Sequence, residues 1–160
     1  MTTTYDIHIR AVENLIYEWA RHIDEDHVEA ITDLMLEDGR YTVKSRFNHD
    51  RDLPMAIIDS HSAAQLRDRI KAMRVANIYE PHHYRHILSG IQILNEEAGV
   101  LHVRSNYLVI RTMALDGDMK IFSTGQCQDQ IVLTAGGPKF KKRLFLYDSR
   151  IIETLLVVPI

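Results

Sequence analysis

The chain has 160 residues, 46% of them hydrophobic and 26% charged, with a formal net charge of −3. That is one domain's worth of sequence, residues 1–160, with enough core to fold without staples, and the balance excludes disordered, collagen-like and coiled-coil chains. A slightly acidic chain lacks the concentrated basic surface that nucleic acid requires. Nine histidines stand against a single cysteine, Cys127. One sulfur excludes an internal disulfide, a Cys-rich zinc site and a Cys-ligated iron–sulfur cluster.

No stretch approaches the roughly 20 apolar residues of a membrane span. The opening Met-Thr-Thr-Thr-Tyr-Asp has neither the basic nor the apolar region of a signal peptide. The expectation is a cytoplasmic protein with a reduced thiol.

In chain order, helical spacing places Val12, Leu15, Ile16, Trp19 and Ile23 on one face of a first helix over about 5–24. A second helix is predicted over about 27–37. Asp26 and Glu29 have the spacing of a capping box, Val28, Ile31, Leu34 and Met35 form the apolar face, and Asp38-Gly39 supplies the stop. Arg40–Lys44 alternates like a strand, and Met55–Ile58 is a short extended run ending at the capping pair Asp59-Ser60. A third helix over about 61–75 buries Ala63, Leu66, Ile70 and Met73.

From about 84 to 158 the chain predicts mainly antiparallel strands. Along Val100–Ala114, Leu101, Val103, Tyr107 and Val109 share one face, and His102, Arg104 and Asn106 the other. Asp116-Gly117-Asp118 and Ala135-Gly136-Gly137-Pro138 are turns. The basic run Lys139-Phe140-Lys141-Lys142-Arg143 has the look of a strand's solvated face. Helices first and long hairpins afterwards make an α+β fold. Strands this long accumulate twist, so the sheet curves strongly into a cone with a hollow interior.

The densest polar cluster is Tyr79-Glu80-Pro81-His82-His83-Tyr84-Arg85-His86. Its spacing argues against a metal. His82 and His86 share a face only on a helix, which Pro81 opposes, and His83 occupies the place where the helical zinc motif needs Glu. These groups are read as structural or interface residues. The cone could instead house acid–base chemistry among His86, His102, Tyr107, Asp129, Tyr147 and Asp148. That alternative is a stand-alone isomerase, lyase or hydrolase. It needs polar groups converging in an apolar pocket, and it weakens if His86 and Asp148 are both tied up in internal bonds. Cys127 has no adjacent cation to activate it. Phosphate-loop and serine-elbow motifs are missing. The apolar ending Leu155, Leu156, Val157, Val158, Pro159, Ile160 demands cover, either by completing the sheet or by docking on another subunit.

Several segments, in order, resemble the small (β) subunit of aromatic-ring-hydroxylating dioxygenases. They are Asp38-Gly39-Arg40-Tyr41, Asp68-Arg69-Ile70, Tyr84-Arg85-His86-Ile87, Gly125 with Asp129, and Arg143-x-x-x-Tyr147-Asp148-Ser149 before Thr154-Leu155-Leu156 and Pro159-Ile160. The resemblance implies a cone-shaped fold of the nuclear-transport-factor-2 type and a non-catalytic role. It implies no catalytic residue, metal ligand or cofactor in this chain. The Rieske 2Fe–2S centre and mononuclear non-haem iron would lie in a larger α subunit, reduced by NAD(P)H through a separate reductase. The complex would be α3β3, with a trimer of this chain as its base. Tyr79, His82, His83, Tyr84, Arg85, His86, Arg143, Tyr147, Asp148 and Ser149 would then serve structure and contact surfaces. The Tyr79–Leu88 region looks closest to the branch acting on aromatic carboxylates of the terephthalate, salicylate or anthranilate type. Deletion of Leu155–Ile160 is expected to abolish assembly or solubility rather than slow a chemical step.

Overall fold

A computed structural model describes residues 4–152 and 156–160, with side chains from residue 8 onward. Helix α1, Thr4–Asp24, buries Val12, Leu15, Ile16, Trp19 and Ile23, the stripe its periodicity prescribes. The predicted second helix is a correction. Residues Val28–Leu34 form a 3₁₀ helix, and strand β1 already begins at Met35 and runs to Ser45. Val28, Ile31 and Leu34 recur every three residues, the repeat of a 3₁₀ rather than an α helix. The capping box is not made either: His27 is the N-cap, and both Asp26 and Glu29 instead hold Arg74, at 2.7 Å each. Asp38-Gly39 lies within β1, where a register irregularity separates Met35 from Arg40, so it terminates nothing.

A single helical turn, α2 (Arg46–His49), and the short strand β2 (Ile58–Ser60) follow. Asp59-Ser60 therefore belongs to a strand. Helix α3, Ala63–Val75, is capped instead by Ser62, whose hydroxyl accepts the Gln65 N–H. The long hairpins are β3 (His82–Glu97), β4 (Val100–Met113), β5 (Met119–Thr134) and β6 (Gly137–Tyr147). The last strand ends at Tyr147, so the sheet stops well short of residue 158.

The six strands form one sheet in the order β2-β1-β6-β5-β4-β3, antiparallel throughout except for β1 against β6. The sheet is curved and does not close, in the α+β arrangement expected from the sequence. Helix α1 lies against β3 and β6, and α3 against β1. Between helices and sheet, Trp19 packs edge-on against Phe140 (5.5 Å) and tilted against Tyr41 (5.3 Å), and Phe145 joins Tyr41 and Tyr107.

The basic run on β6 departs from its predicted solvated face. A bulge carries the β5 partners from Gln130–Lys142 to Ile131–Phe140, leaving Lys141 as the extra residue. Phe140 and Arg143 consequently point to the same, inner side, and Arg143 is buried.

Gly125 on β5 permits a close approach that no other residue can. A Cβ there would sit 1.9 Å from the backbone oxygen of Leu146. We expect Gly125→Ala to disrupt β5–β6 pairing, with a loss of several kcal/mol, at or beyond the usual range for a single substitution, of order 3 kcal/mol. Chemical denaturation monitored by circular dichroism checks this.

Candidate functional site

The sequence-singled residues fall into two groups in space. The first sits at the start of β3. His82, Tyr84 and His86 alternate along the strand and face the same side. Tyr84 packs against both imidazoles and stacks on Phe122 at 5.3 Å, and Tyr79 closes the row against His82. His83 and Arg85 point outward and are exposed. Burial pushes the Tyr84 hydroxyl pKa well above its ordinary range, so it stays protonated.

The anchor of this group, unnoticed in the sequence, is Asp24 at the end of α1. Its carboxylate accepts the His86 backbone N–H at 2.9 Å and faces His86 Nδ1 at 2.6 Å, with the side chains 7% and 1% exposed respectively. Arg85 reaches it from outside at 3.7 Å. An edge-strand amide that would otherwise point at solvent or at another chain is thus capped by a helix residue. No local pattern could have revealed a pair 62 positions apart. The carboxylate requires the proton on Nδ1 of His86, and the Glu80 carbonyl, 2.8 Å from His82 Nδ1, requires the same of His82. We expect Asp24→Ala to strand both donors of His86 at a cost of about 2–3 kcal/mol. Hydrogen exchange at the His86 amide should rise in the same variant.

Asp24, Asp26, Tyr79, His82 and Tyr84 border a recess of about 260 Å³. Among the described residues, no three His, Cys, Asp or Glu side chains converge as metal ligands. His82 and His86 lie four strand positions apart with a tyrosine ring between them, so this donor set does not fit an iron centre.

The second group surrounds the end of β6. Arg143 donates to Asp129 at 3.1 Å inside the core, with both side chains at most 1% exposed. Its guanidinium also lies over Phe140 at 4.4 Å and over Trp19 and Phe145 at 4.9 Å. Full burial raises the Asp129 carboxyl to about 6, although Arg143 pulls it downward. Burial likewise drives the Cys127 thiol far above its ordinary range, leaving it inert. Tyr107 is buried and shares a hydrogen bond with Ser123 at 3.0 Å. Tyr147 reaches the Ser45 side chain. Asp148 is ion-paired to Arg46 at 2.6 Å, and Ser149 bonds to Ile151 across a short turn. His102 remains on the outer face of β4. His86 and Asp148 are therefore both engaged in internal bonds, and the acid–base alternative loses its two best groups.

The apolar ending does not complete the sheet. Leu156, Val157 and Ile160 are buried in the chain's own core, Val158 is half-buried, and Leu155 lies outside the described residues. Residues 156–160 join no strand. The hollow expected inside the cone is filled here: Tyr41 and Trp19 both donate to the Ile160 backbone oxygen, at 2.8 and 3.2 Å. Arg69 donates to that of Leu156 at 3.0 Å. Tyr41, Arg69, Asp129 and Arg143, scattered through the resembling segments, thus gather around one aromatic core.

A curved, open sheet under N-terminal helices is the architecture of SnoaL-like domains, and the model of that family matches residues 8–144. The chain is 35% identical over 139 residues to the anthranilate 1,2-dioxygenase small subunit of Burkholderia cepacia, covering 87% of this chain and 86% of that protein. It is 33% identical over 142 residues to subunit beta 2 of the terephthalate 1,2-dioxygenase terminal oxygenase component of Comamonas sp., covering 89% and 92%. A crystal structure of a β subunit assigned to an aromatic-ring-hydroxylating dioxygenase of Novosphingobium aromaticivorans DSM 12444 superposes with a TM-score of 0.89 at 30% identity, covering 99% of this chain and all of that one. The chain belongs to the family of small (β) subunits of aromatic-ring-hydroxylating dioxygenases.

Proposed function

We propose that this chain is the structural small subunit of a multicomponent oxygenase that adds oxygen to an aromatic acid of the anthranilate, terephthalate or salicylate type. The observation that carries this reading is the 35% identity sustained over 139 residues with an anthranilate dioxygenase small subunit. In it, a large α subunit holds the Rieske 2Fe–2S cluster and the mononuclear iron, and receives electrons from NAD(P)H through a reductase. This chain acts as a single cytoplasmic domain and supplies no catalytic residue. Its buried polar groups are spent on its own fold: Asp24 on His86 and Asp129 on Arg143. Three copies form the base of an α3β3 complex. The exposed His83 and Arg85, together with the turn at Asp148 and Ser149, offer polar surface for subunit contacts.

Co-expression with a candidate large subunit, followed by native mass spectrometry, tests this. A complex containing three copies of each chain is expected, with oxygenase activity only when both are present. Failure to associate with any such partner would sink the reading, and a 1:1 complex would overturn the stoichiometry alone.

A further inference from the structure

The outer face of the sheet, opposite the aromatic core, carries donors that the fold does not use. Arg104 and His102 on β4 stand directly opposite Gln128 and Gln130 on β5, and Gln130 stands opposite Lys142 on β6. Directly opposed residues share a face, so these side chains lie together. With Leu94 they border a recess of about 160 Å³. Arg40, Arg85 and Arg143, also on the sheet, each meet a carboxylate. Among the described residues, Arg104, Lys142 and His102 meet none. Around them the face is amide rather than acid: Asn95 and Gln92 on β3 oppose His102 and Arg104, and Asn106 opposes Gln126 in the next row. Asp129 also borders the recess, but its side chain is turned to the inner side of the sheet and held there by Arg143.

Strand β5 separates Arg104 from Lys142, so their backbones are about 10 Å apart. Both side chains nevertheless border one recess over β5, and like charges held that close cost energy unless an anion lies between them. We propose that this recess is a binding site for a phosphate group. Arg104 supplies a guanidinium fork, Lys142 a point charge, and Gln128 and Gln130 neutral amide donors. Gln128 spends one amide proton on Gln126 at 3.4 Å and keeps the other for the ligand. Two formal cations without counter-ions call for a dianion, and a single carboxylate would leave one of them unmatched. The bound group ties β4, β5 and β6 together from outside, as Asp129 and Arg143 tie β5 to β6 from within. Its binding therefore stabilises the folded chain, and no part of the core has to move to admit it. The proposal does not rest on the subunit assignment.

The test titrates the full chain with inorganic phosphate at pH 8, where it is mostly dianionic, and separately with sodium nitrate, at constant ionic strength. Phosphate stabilises proteins in general by exclusion from their surface, so the readout is local: the side-chain amide resonances of Gln128 and Gln130. They should shift saturably with phosphate, and nitrate should bind at least about tenfold more weakly. Arg104→Gln and Lys142→Gln, on different strands, should each weaken phosphate binding by about three- to tenfold. Lys44→Gln removes the same charge from β1 outside the recess and should leave the affinity within about twofold. Either recess variant suffices should the other not fold, and Arg104→Lys, which keeps the charge without the fork, replaces both if neither folds. Methyl phosphate separates the sources of the group: binding equal to that of phosphate admits phosphate esters, weaker binding restricts the site to the free ion, and both uphold it. Shifts that do not saturate, equal binding of nitrate, or a folded recess variant with unchanged affinity would each overturn the proposal.

Discussion

Replacing Asp129 with alanine is expected to cost about 3–5 kcal/mol at pH 7, the range for breaking a buried ion pair by removing one partner. Arg143 would be left among Trp19, Phe140 and Phe145 with a charge it cannot shed. The reciprocal change, Arg143→Met, should cost less, because Asp129 can take up a proton once its partner is gone. The difference between the two variants should widen at acidic pH, where the acid form of Asp129 is supplied without penalty. Replacing both residues with apolar ones should recover much of the loss.

The same pair sets a pH dependence of definite sign. The Asp129 pKa is raised by burial from 3.8 to about 6, so between those values the folded chain binds more protons than the unfolded one. Stability contributed by this group is greatest below about pH 4 and declines as pH rises through 6. Urea titrations of the native chain and of Asp129→Asn, run from pH 4 to 8, isolate the effect. The native chain should lose ground relative to the variant across that window, and a rising difference would overturn the assignment.

The second large effect concerns the tail. Removing residues 156–160 strips three buried apolar side chains, Leu156, Val157 and Ile160, from the core. At about 1.5–3 kcal/mol each, the loss is about 4.5–9 kcal/mol, comparable with the whole stability of a domain. Trp19 and Tyr41 lose their backbone partner together. The truncated chain is expected to be insoluble or molten, with Trp19 fluorescence shifted to the red, before any question of assembly arises. A folded truncated chain with native emission would show that the tail merely decorates the core. The tail is thus first of all part of its own domain's core.

Much of the architecture was legible because it is local. The stripe from Val12 to Ile23 and the alternation from Leu101 to Val109 each state which face is buried, and the structure agrees at those positions. The failures are equally local in origin. The three-residue apolar spacing of Val28–Leu34 makes a 3₁₀ helix where the sequence predicts an α helix. A one-residue bulge at Lys141 turned a wet-looking arginine into a core residue.

The contrast between many imidazoles and one thiol divides along the same line. Composition by itself determined that no Cys-ligated cluster or internal disulfide is possible within this sequence, since one sulfur cannot supply the ligands whatever the fold. Hydrophobic period and turn residues determined an α+β chain of helices followed by long hairpins. Only the tertiary structure decided what the polar residues do. Asp24 with His86, Asp129 with Arg143, and the tail with Trp19, Tyr41 and Arg69 are contacts between distant segments. Sheet register and helix packing bring them together, and neither follows from the spacing of residues along one strand or helix.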